Sequence, residues 1–374
     1  MTSCGAGRGV GVGGARAPYV VSGAGGFVGS HVAVHLLRGG HPVIVVDRLS
    51  GAGRRERKQA NLDAVLSAAR ESGTAVDVVD GDCADRTAMR DLFETGGGVA
   101  GVAHVAARAG VGPSFQDPEG FVASNVASQA VLLSLLAESA AAAGAPDAGT
   151  ARRPFVYASS SGVYGGVPAA GDALSAAAAA AAAFVEGASE DGRPVSPYAA
   201  TKRMQELLAH AYAATYPDVL QCVGLRLFSV YGPRGRREMA PYAFLDRVHR
   251  GDEVTLFGDP ASSFRDWVHV DDVARAFCLA LDAASAARTP GSPVLNVGTG
   301  RATSLQDLLD ACQAAAGRRA SVRRLPARLG DVPGTLASTE LADALLGYRS
   351  RVALADGIAS TYAWYLDDQE QRQP

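Results

Sequence analysis

At 374 residues the chain is long enough for one large α/β domain with a smaller appended lobe, or for two modest domains. Hydrophobic residues make up 48% and charged residues 20%, the balance of an ordinary folded protein. A net charge of −3 lacks the clustered basic excess that binding to nucleic acid requires.

The opening stretch, residues 1–17, is rich in glycine and is expected to form a disordered tail, without the apolar centre of a secretory signal. Tyr19-Val20-Val21-Ser22 then reads as a short strand that runs into a glycine cluster. An apolar-periodic helix follows from Phe27 to Leu37, and Gly39-Gly40 ends it. The run Pro42 to Asp47 is a continuous apolar strand, as in a parallel sheet covered on both faces. Similar runs recur at Val76–Val79, Val99–Val105, Pro154–Ala158 and Cys222–Phe228, with helical stretches such as Val126–Ala142 and Ala199–Tyr216 between them. Strands alternating with helices predict a doubly wound parallel sheet of the Rossmann type.

Residues 18–228 with about 268–287 are expected to form this domain, carrying a low-complexity, alanine-rich insertion at about 173–192. A smaller substrate lobe is expected from about 229–267 with 288–374. No apolar stretch stands out as a membrane span of roughly 20 residues. Cys4, Cys83, Cys222, Cys278 and Cys312 are scattered, without close pairs or metal-like spacing. They predict no metal site and a reducing, cytoplasmic setting.

Gly23-Ala-Gly-Gly26-Phe27-Val28-Gly29 lies between strand and helix, where glycines permit a tight turn and a close approach to a pyrophosphate at the helix N-terminus. Asp47 ends the next strand, about 20 residues on, where its carboxylate can accept from both ribose hydroxyls of an adenosine. The same charge repels a 2′-phosphate, so NAD is expected rather than NADP.

Tyr198 and Lys202 stand at i and i+4, on one face of a helix. The ammonium is expected to pull the phenol down from about 10 and make Tyr198 a base for a substrate hydroxyl. Upstream, an apolar strand runs into Ser159-Ser160-Ser161 at the carboxyl edge of the sheet, where ligands bind. Ser160, counted back from the following Val-Tyr-Gly, is the expected catalytic hydroxyl.

These motifs, with Phe264-Arg265-Asp266-Trp-Val-His-Val-Asp271-Asp272, together resemble the extended short-chain dehydrogenase/reductase family from about residue 18 onward. Within it, His104-Val-Ala106-Ala107-Arg-Ala-Gly110, Ser124-Asn125 and the Ser229-to-Met239 segment resemble UDP-glucuronate 4-epimerases. The resemblance implies further cofactor contacts at Phe27, Val28, Asp82, Cys83, Ala106, Ala107 and Asn125. It implies a hold on a substrate carboxylate by Ser161, Ser229 and Arg236, and diphosphate clamps at Arg265 and Arg328, with Asp331 on a ribose hydroxyl. A homodimer is usual in this family.

The implied activity is NAD-dependent 4-epimerisation of UDP-glucuronate through a 4-keto sugar. A UDP-glucose/UDP-galactose 4-epimerase is the competing reading, because Gly112-Pro113 stand where many uronate epimerases carry Arg-Tyr. A 4,6-dehydratase or a UDP-glucuronate decarboxylase would carry an acid at position 161, which is Ser. A catalytically silent NAD-binding protein would be expected to lack Tyr198 or Lys202.

Overall fold

In the computed structural model the alternation of apolar runs and periodic helices becomes a seven-stranded sheet. The structure describes residues 16–49, 55–94, 98–142, 152–165, 183–187, 194–258, 263–286, 288–289, 291–326 and 334–370. The first half contributes β1 (Tyr19–Ser22), α1 (Phe27–Arg38), β2 (Val43–Asp47), α2 (Arg55–Ser72), β3 (Val76–Asp80) and α3 (Arg86–Glu94). It continues with β4 (Gly101–His104), α4 (Val111–Gln116), α5 (Pro118–Ala142), β5 (Arg153–Ser160), α6 (Pro197–Thr215) and β6 (Leu220–Leu227). A later strand, Val294–Val297, lies beside β6 in parallel. From that strand the order runs β6-β5-β4-β1-β2-β3, with parallel pairing throughout. The direction of winding reverses between β1 and β4, and the crevice at such a switch point is where open α/β sheets bind ligands.

Successive residues of each strand feed opposite cores, as the two-residue period of a strand requires. Val21, Val43, Val45, Val156 and Leu225 pack with α1 and α2 on one face. Val20, Val46, Phe155, Tyr157 and Cys222 pack with α3, α5 and α6 on the other.

Two expectations are corrected by this arrangement. Residues 294–297, assigned to the smaller lobe on sequence, belong to the main sheet, because Val-Leu-Asn-Val is an apolar run that covers the open edge of β6. Helix α5, 25 residues long, is by length and composition apolar enough to cross a membrane, although no such span was expected. Half of its most apolar window is buried inside the protein.

The rest of the chain supplies β7 (Ser229–Tyr231), α7 (Ala240–Arg250), β8 (Val254–Phe257), β9 (Phe264–Arg265), β10 (Trp267–His269) and α8 (Val270–Ser285). Then come β11 (Val294–Val297), β12 (Thr303–Ser304), α9 (Leu305–Ala316), β13 (Val322–Leu325), β14 (Gly334–Thr335), α10 (Glu340–Leu346) and α11 (Leu354–Glu370). Leu245, Val248, Leu256, Trp267, Leu308, Leu309 and Ile358 form a separate core for the smaller lobe. Helix α8 returns to the main domain and packs on α1 and the sheet. The alanine-rich insertion lies outside the described residues except for 183–187. There Phe184 stacks on Tyr164, ring centroids 4.5 Å apart, and pairs with Ala337.

Candidate active site

Backbone geometry alone dictates the glycine loop. Gly23 takes φ +76°, and a Cβ there would meet the Ala106 backbone at 2.7 Å. A Cβ on Gly29 would stand 2.2 Å from the Gly23 carbonyl oxygen, so any side chain would force the loop off the helix. Gly26 is the N-cap of α1 and makes no side-chain cap hydrogen bond, which leaves the first-turn N–H groups to an outside acceptor. Phe27 and Val28 open the helix half-buried, with the Phe27 ring edge-on to His31.

Asp47 closes β2 beside this loop. Its Oδ2 accepts from the Gly25 N–H at 2.9 Å, and its Oδ1 accepts from Lys58 Nζ at 2.7 Å. Lys58 also donates to the Arg48 carbonyl. Asp82 accepts from Arg48 at 3.1 Å and from the Ala84 N–H at 3.0 Å. Cys83 is buried, and burial pushes its thiol up to about 12. Ala106 N–H donates to Ser22 Oγ at 3.2 Å, which ties the end of β4 to β1, and Ala107 lies exposed one residue further on. A loop that admits no Cβ, an uncapped helix start and a carboxylate on the neighbouring strand fit an adenine dinucleotide.

Asn125 lies on α5, below these residues. It is fully buried, its two amide hydrogens go to the Arg108 carbonyl and to Thr201 Oγ1, and its Oδ1 accepts from the Arg108 N–H at 2.7 Å. It ties α5 to α6 and to the Arg108 backbone beneath the cleft.

The three candidate catalytic residues, Ser160, Tyr198 and Lys202, lie together. Ser196 caps α6, accepting from the Ala199 N–H at 3.2 Å, and Pro197 occupies the first turn, so the helix starts one residue before Tyr198. Ser160, at the end of β5, accepts from the Gly162 N–H at 3.1 Å and hydrogen-bonds Tyr198. Lys202 is 2% exposed; its ammonium donates to the Ala158 carbonyl at 2.8 Å and lies 6.0 Å from the centre of the Tyr198 ring.

The electrostatic balance differs from the one expected. Burial pushes the Tyr198 phenol above its ordinary range, and the hydrogen bond from Ser160 and the charge of Arg236 pull it back. Burial also draws the Lys202 ammonium down, to about 7, and the charge of Glu206 acts against that shift.

The remaining candidates divide. Ser161 opens a short 3₁₀ turn half-buried beside Ser160. Ser229 begins β7, which the Asp266 carbonyl pins through the Ser229 N–H at 3.0 Å. Arg236 is exposed, yet within electrostatic reach of Tyr198. Its neighbour Arg234 is the one non-glycine residue with positive φ among those described, at 65°. Arg265 lies on β9, donating to the Phe264 carbonyl at 2.8 Å. Arg328 and Asp331 lie outside the described residues.

Sequence reasoning passed over Lys58. Its signal was composition: the chain has 35 basic residues, of which only Lys58 and Lys202 are lysines. Phe121 was missed as well; its ring meets Tyr198 edge-on at 6.3 Å and carries the Arg108 guanidinium at 4.8 Å. Arg108 is tied in turn to Asp117 at 2.5 Å.

Known proteins are similar to this chain in sequence and fold. A probable UDP-glucuronate 4-epimerase of Rhizobium meliloti is 31% identical over 95% of this chain and 98% of its own length. A UDP-glucuronic acid 4-epimerase of Bacillus cereus, solved with UDP-glucuronic acid and NAD, superposes with a TM-score of 0.72 at 26% identity, covering 94% of this chain and 99% of that one. A UDP-glucose 4-epimerase of Stenotrophomonas maltophila with bound NAD superposes with a TM-score of 0.77 at 30% identity, covering 95% and 100%. Residues 19–298 match the NAD dependent epimerase/dehydratase family, and the chain belongs to that family.

Proposed function

We propose that the chain is an NAD-dependent UDP-sugar 4-epimerase whose preferred substrate is UDP-glucuronate, converted to UDP-galacturonate. The observation that carries the uronate reading is the exposed Arg236, whose charge reaches the Tyr198 phenol. A guanidinium there can meet a C6 carboxylate with bidentate geometry, next to the base that works at C4. Several relatives that match over most of this chain carry the name UDP-glucuronate 4-epimerase.

NAD, when bound along Gly23–Gly29 and Asp47, supplies the reversible two-electron redox capacity that C4 inversion needs. The protein manages the proton and the sugar. Tyr198 takes the C4 hydroxyl proton as that carbon becomes a ketone and returns it after the sugar has presented its other face. Ser160 hydrogen-bonds the same oxygen and steers the phenol. Lys202, in its ammonium form, favours the ionised tyrosine. Arg265 and Arg328 hold the diphosphate while the sugar swings about its link. A 4-keto uronate readily loses carbon dioxide, so Ser161, Ser229 and Arg236 must keep the carboxylate still. Ser at position 161 offers no acid for proton traffic at C5, which argues against dehydration and decarboxylation.

The second reading, UDP-glucose/UDP-galactose epimerisation, has its own observation. Position 112 is glycine and Arg108 is engaged by Asp117, which leaves Arg236 as the one described cation proposed for C6. A homodimer fits the apolar side chains left exposed on α4, α5 and α6, namely Val111, Phe115, Val122, Met204 and Leu207. The four described cysteines are free and mostly buried, which suits the cytoplasm.

Incubation with UDP-glucuronate and with UDP-glucose separately, without added reductant, tests the reading. UDP-galacturonate from the first is the expected product. UDP-galactose from the second with nothing from the first would replace uronate by neutral hexose, and UDP-xylose would mean decarboxylation.

A further inference from the structure

The last three residues of β5 dock in succession onto α6. The Ala158 carbonyl accepts from Lys202 at 2.8 Å, Ser159 Oγ donates to Glu206 Oε1 at 2.6 Å, and Ser160 hydrogen-bonds Tyr198. On α6 the three partners stand at i, i+4 and i+8, one stripe along the helix. Two of these contacts belong to the catalytic set, and the third, Glu206, has no part in the mechanism above.

Glu206 is 3% exposed. Arg226 Nε and Nη2 reach its two oxygens at 2.9 Å each, and Arg203 Nη1 adds a contact at 2.8 Å. Arg226 stands opposite Ser159 in the register of β5 and β6, so strand, neighbouring strand and helix meet at one carboxylate. A buried ion pair costs much desolvation, and apolar side chains of similar volume often hold a fold as well. Its place one helical turn beyond Lys202 calls for a role besides stability.

We propose that Glu206 is a positioning residue of the active site: its clamped carboxylate locks the end of β5 onto α6 and so fixes Lys202 and Ser160 beside Tyr198. The inference rests on the catalytic reading given above. Burial acts against the Lys202 ammonium, and the charge of Glu206 opposes that burial. Tyr198 also faces Lys202 from its own helix, and His104 faces it from β4, kept neutral by burial and by the Lys202 charge itself. Glu206 in turn faces Arg226 on β6, Arg203 on α6 and Tyr157 on β5.

The scarcity of lysine makes the test direct. With only Lys58 and Lys202 in the chain, lysine side-chain ¹⁵N NMR of the NAD-loaded protein gives two signals, and Lys202→Met assigns them. Glu206→Gln is expected to move the Lys202 midpoint, and the alkaline limb of the pH–rate profile, about one unit to lower pH. Arg203→Met removes a cation from the more open end of the clamp, where the Arg203 side chain is 31% exposed, and is expected to move both to higher pH. If Glu206→Gln does not fold, Arg203→Met decides alone. Absent shifts, or shifts of the same sign with only turnover reduced, overturn the proposal. A wild-type protein that turns over neither UDP-sugar overturns the catalytic reading instead, while the NMR midpoints still decide the role of Glu206.

Discussion

The two lysines of this chain occupy two ends of the cofactor cleft and meet opposite conditions. Lys58 is partly open to solvent and grips the Asp47 carboxylate at 2.7 Å, so its charge is paired and serves geometry. Lys202 is buried against a backbone carbonyl, with Glu206 one turn away, and its proton is held loosely, near neutrality. The difference teaches that a cation paired at the surface organises a binding site, whereas a cation stripped of water becomes a titrating part of the chemistry. The other basic residues are arginines, which can replace a point charge but cannot shed a proton.

The largest expected effect lies at the catalytic end. Tyr198→Phe should lower kcat by about a thousandfold or more, within the range general acid–base groups contribute, and leave NAD affinity within about threefold of wild type by titration calorimetry. Retained epimerisation would remove Tyr198 from the mechanism and leave Lys202 without a chemical role. Lys202→Arg should cost about a hundredfold in kcat, because the buried site must then hold a wider guanidinium that stays charged. Lys58→Arg should change kcat and the Kd for NAD by no more than about threefold, since a pair partly open to solvent leaves room for the exchange. Equal losses at the two positions would break the comparison.

Arg236→Met should raise KM for UDP-glucuronate by about tenfold or more while changing the UDP-glucose value little. The sign of its pH effect follows from the structure. The Arg236 charge pulls the Tyr198 phenol down, so its removal lets the phenol rise and shifts the acid limb of the pH–rate profile to higher pH. Asp47→Asn should weaken NAD binding by about tenfold and narrow the preference over NADP, read from paired binding isotherms. The smallest of these effects is the Lys58→Arg exchange.

Much of this site was legible in the residues because short-range rules fix it. Gly23, Gly26 and Gly29 are demanded by backbone contacts under 3.1 Å, and Tyr198 and Lys202 share a face by helical spacing. What the residues could not convey was depth. The sign of the Tyr198 balance depends on how completely the fold removes water, a property of the packed whole. Asn125 was marked by its motif, but its bonds to the Arg108 backbone and to Thr201 depend on how α5 packs on α6. The strand at Val294–Val297 went to the wrong lobe because a four-residue apolar run carries no mark of which sheet edge it will cover. Ser159 and Glu206 are 47 positions apart, and nothing in their spacing announces their 2.6 Å contact.

The central claim is that C4 of a UDP-sugar is inverted by a reversible oxidation completed within one closed site. UDP-glucuronate carrying deuterium at C4 tests it most directly, with the product analysed by mass spectrometry and NMR. The account predicts UDP-galacturonate with deuterium retained at C4 and a slowed turnover. Loss of the label to water, or formation of UDP-xylose in place of UDP-galacturonate, would contradict it.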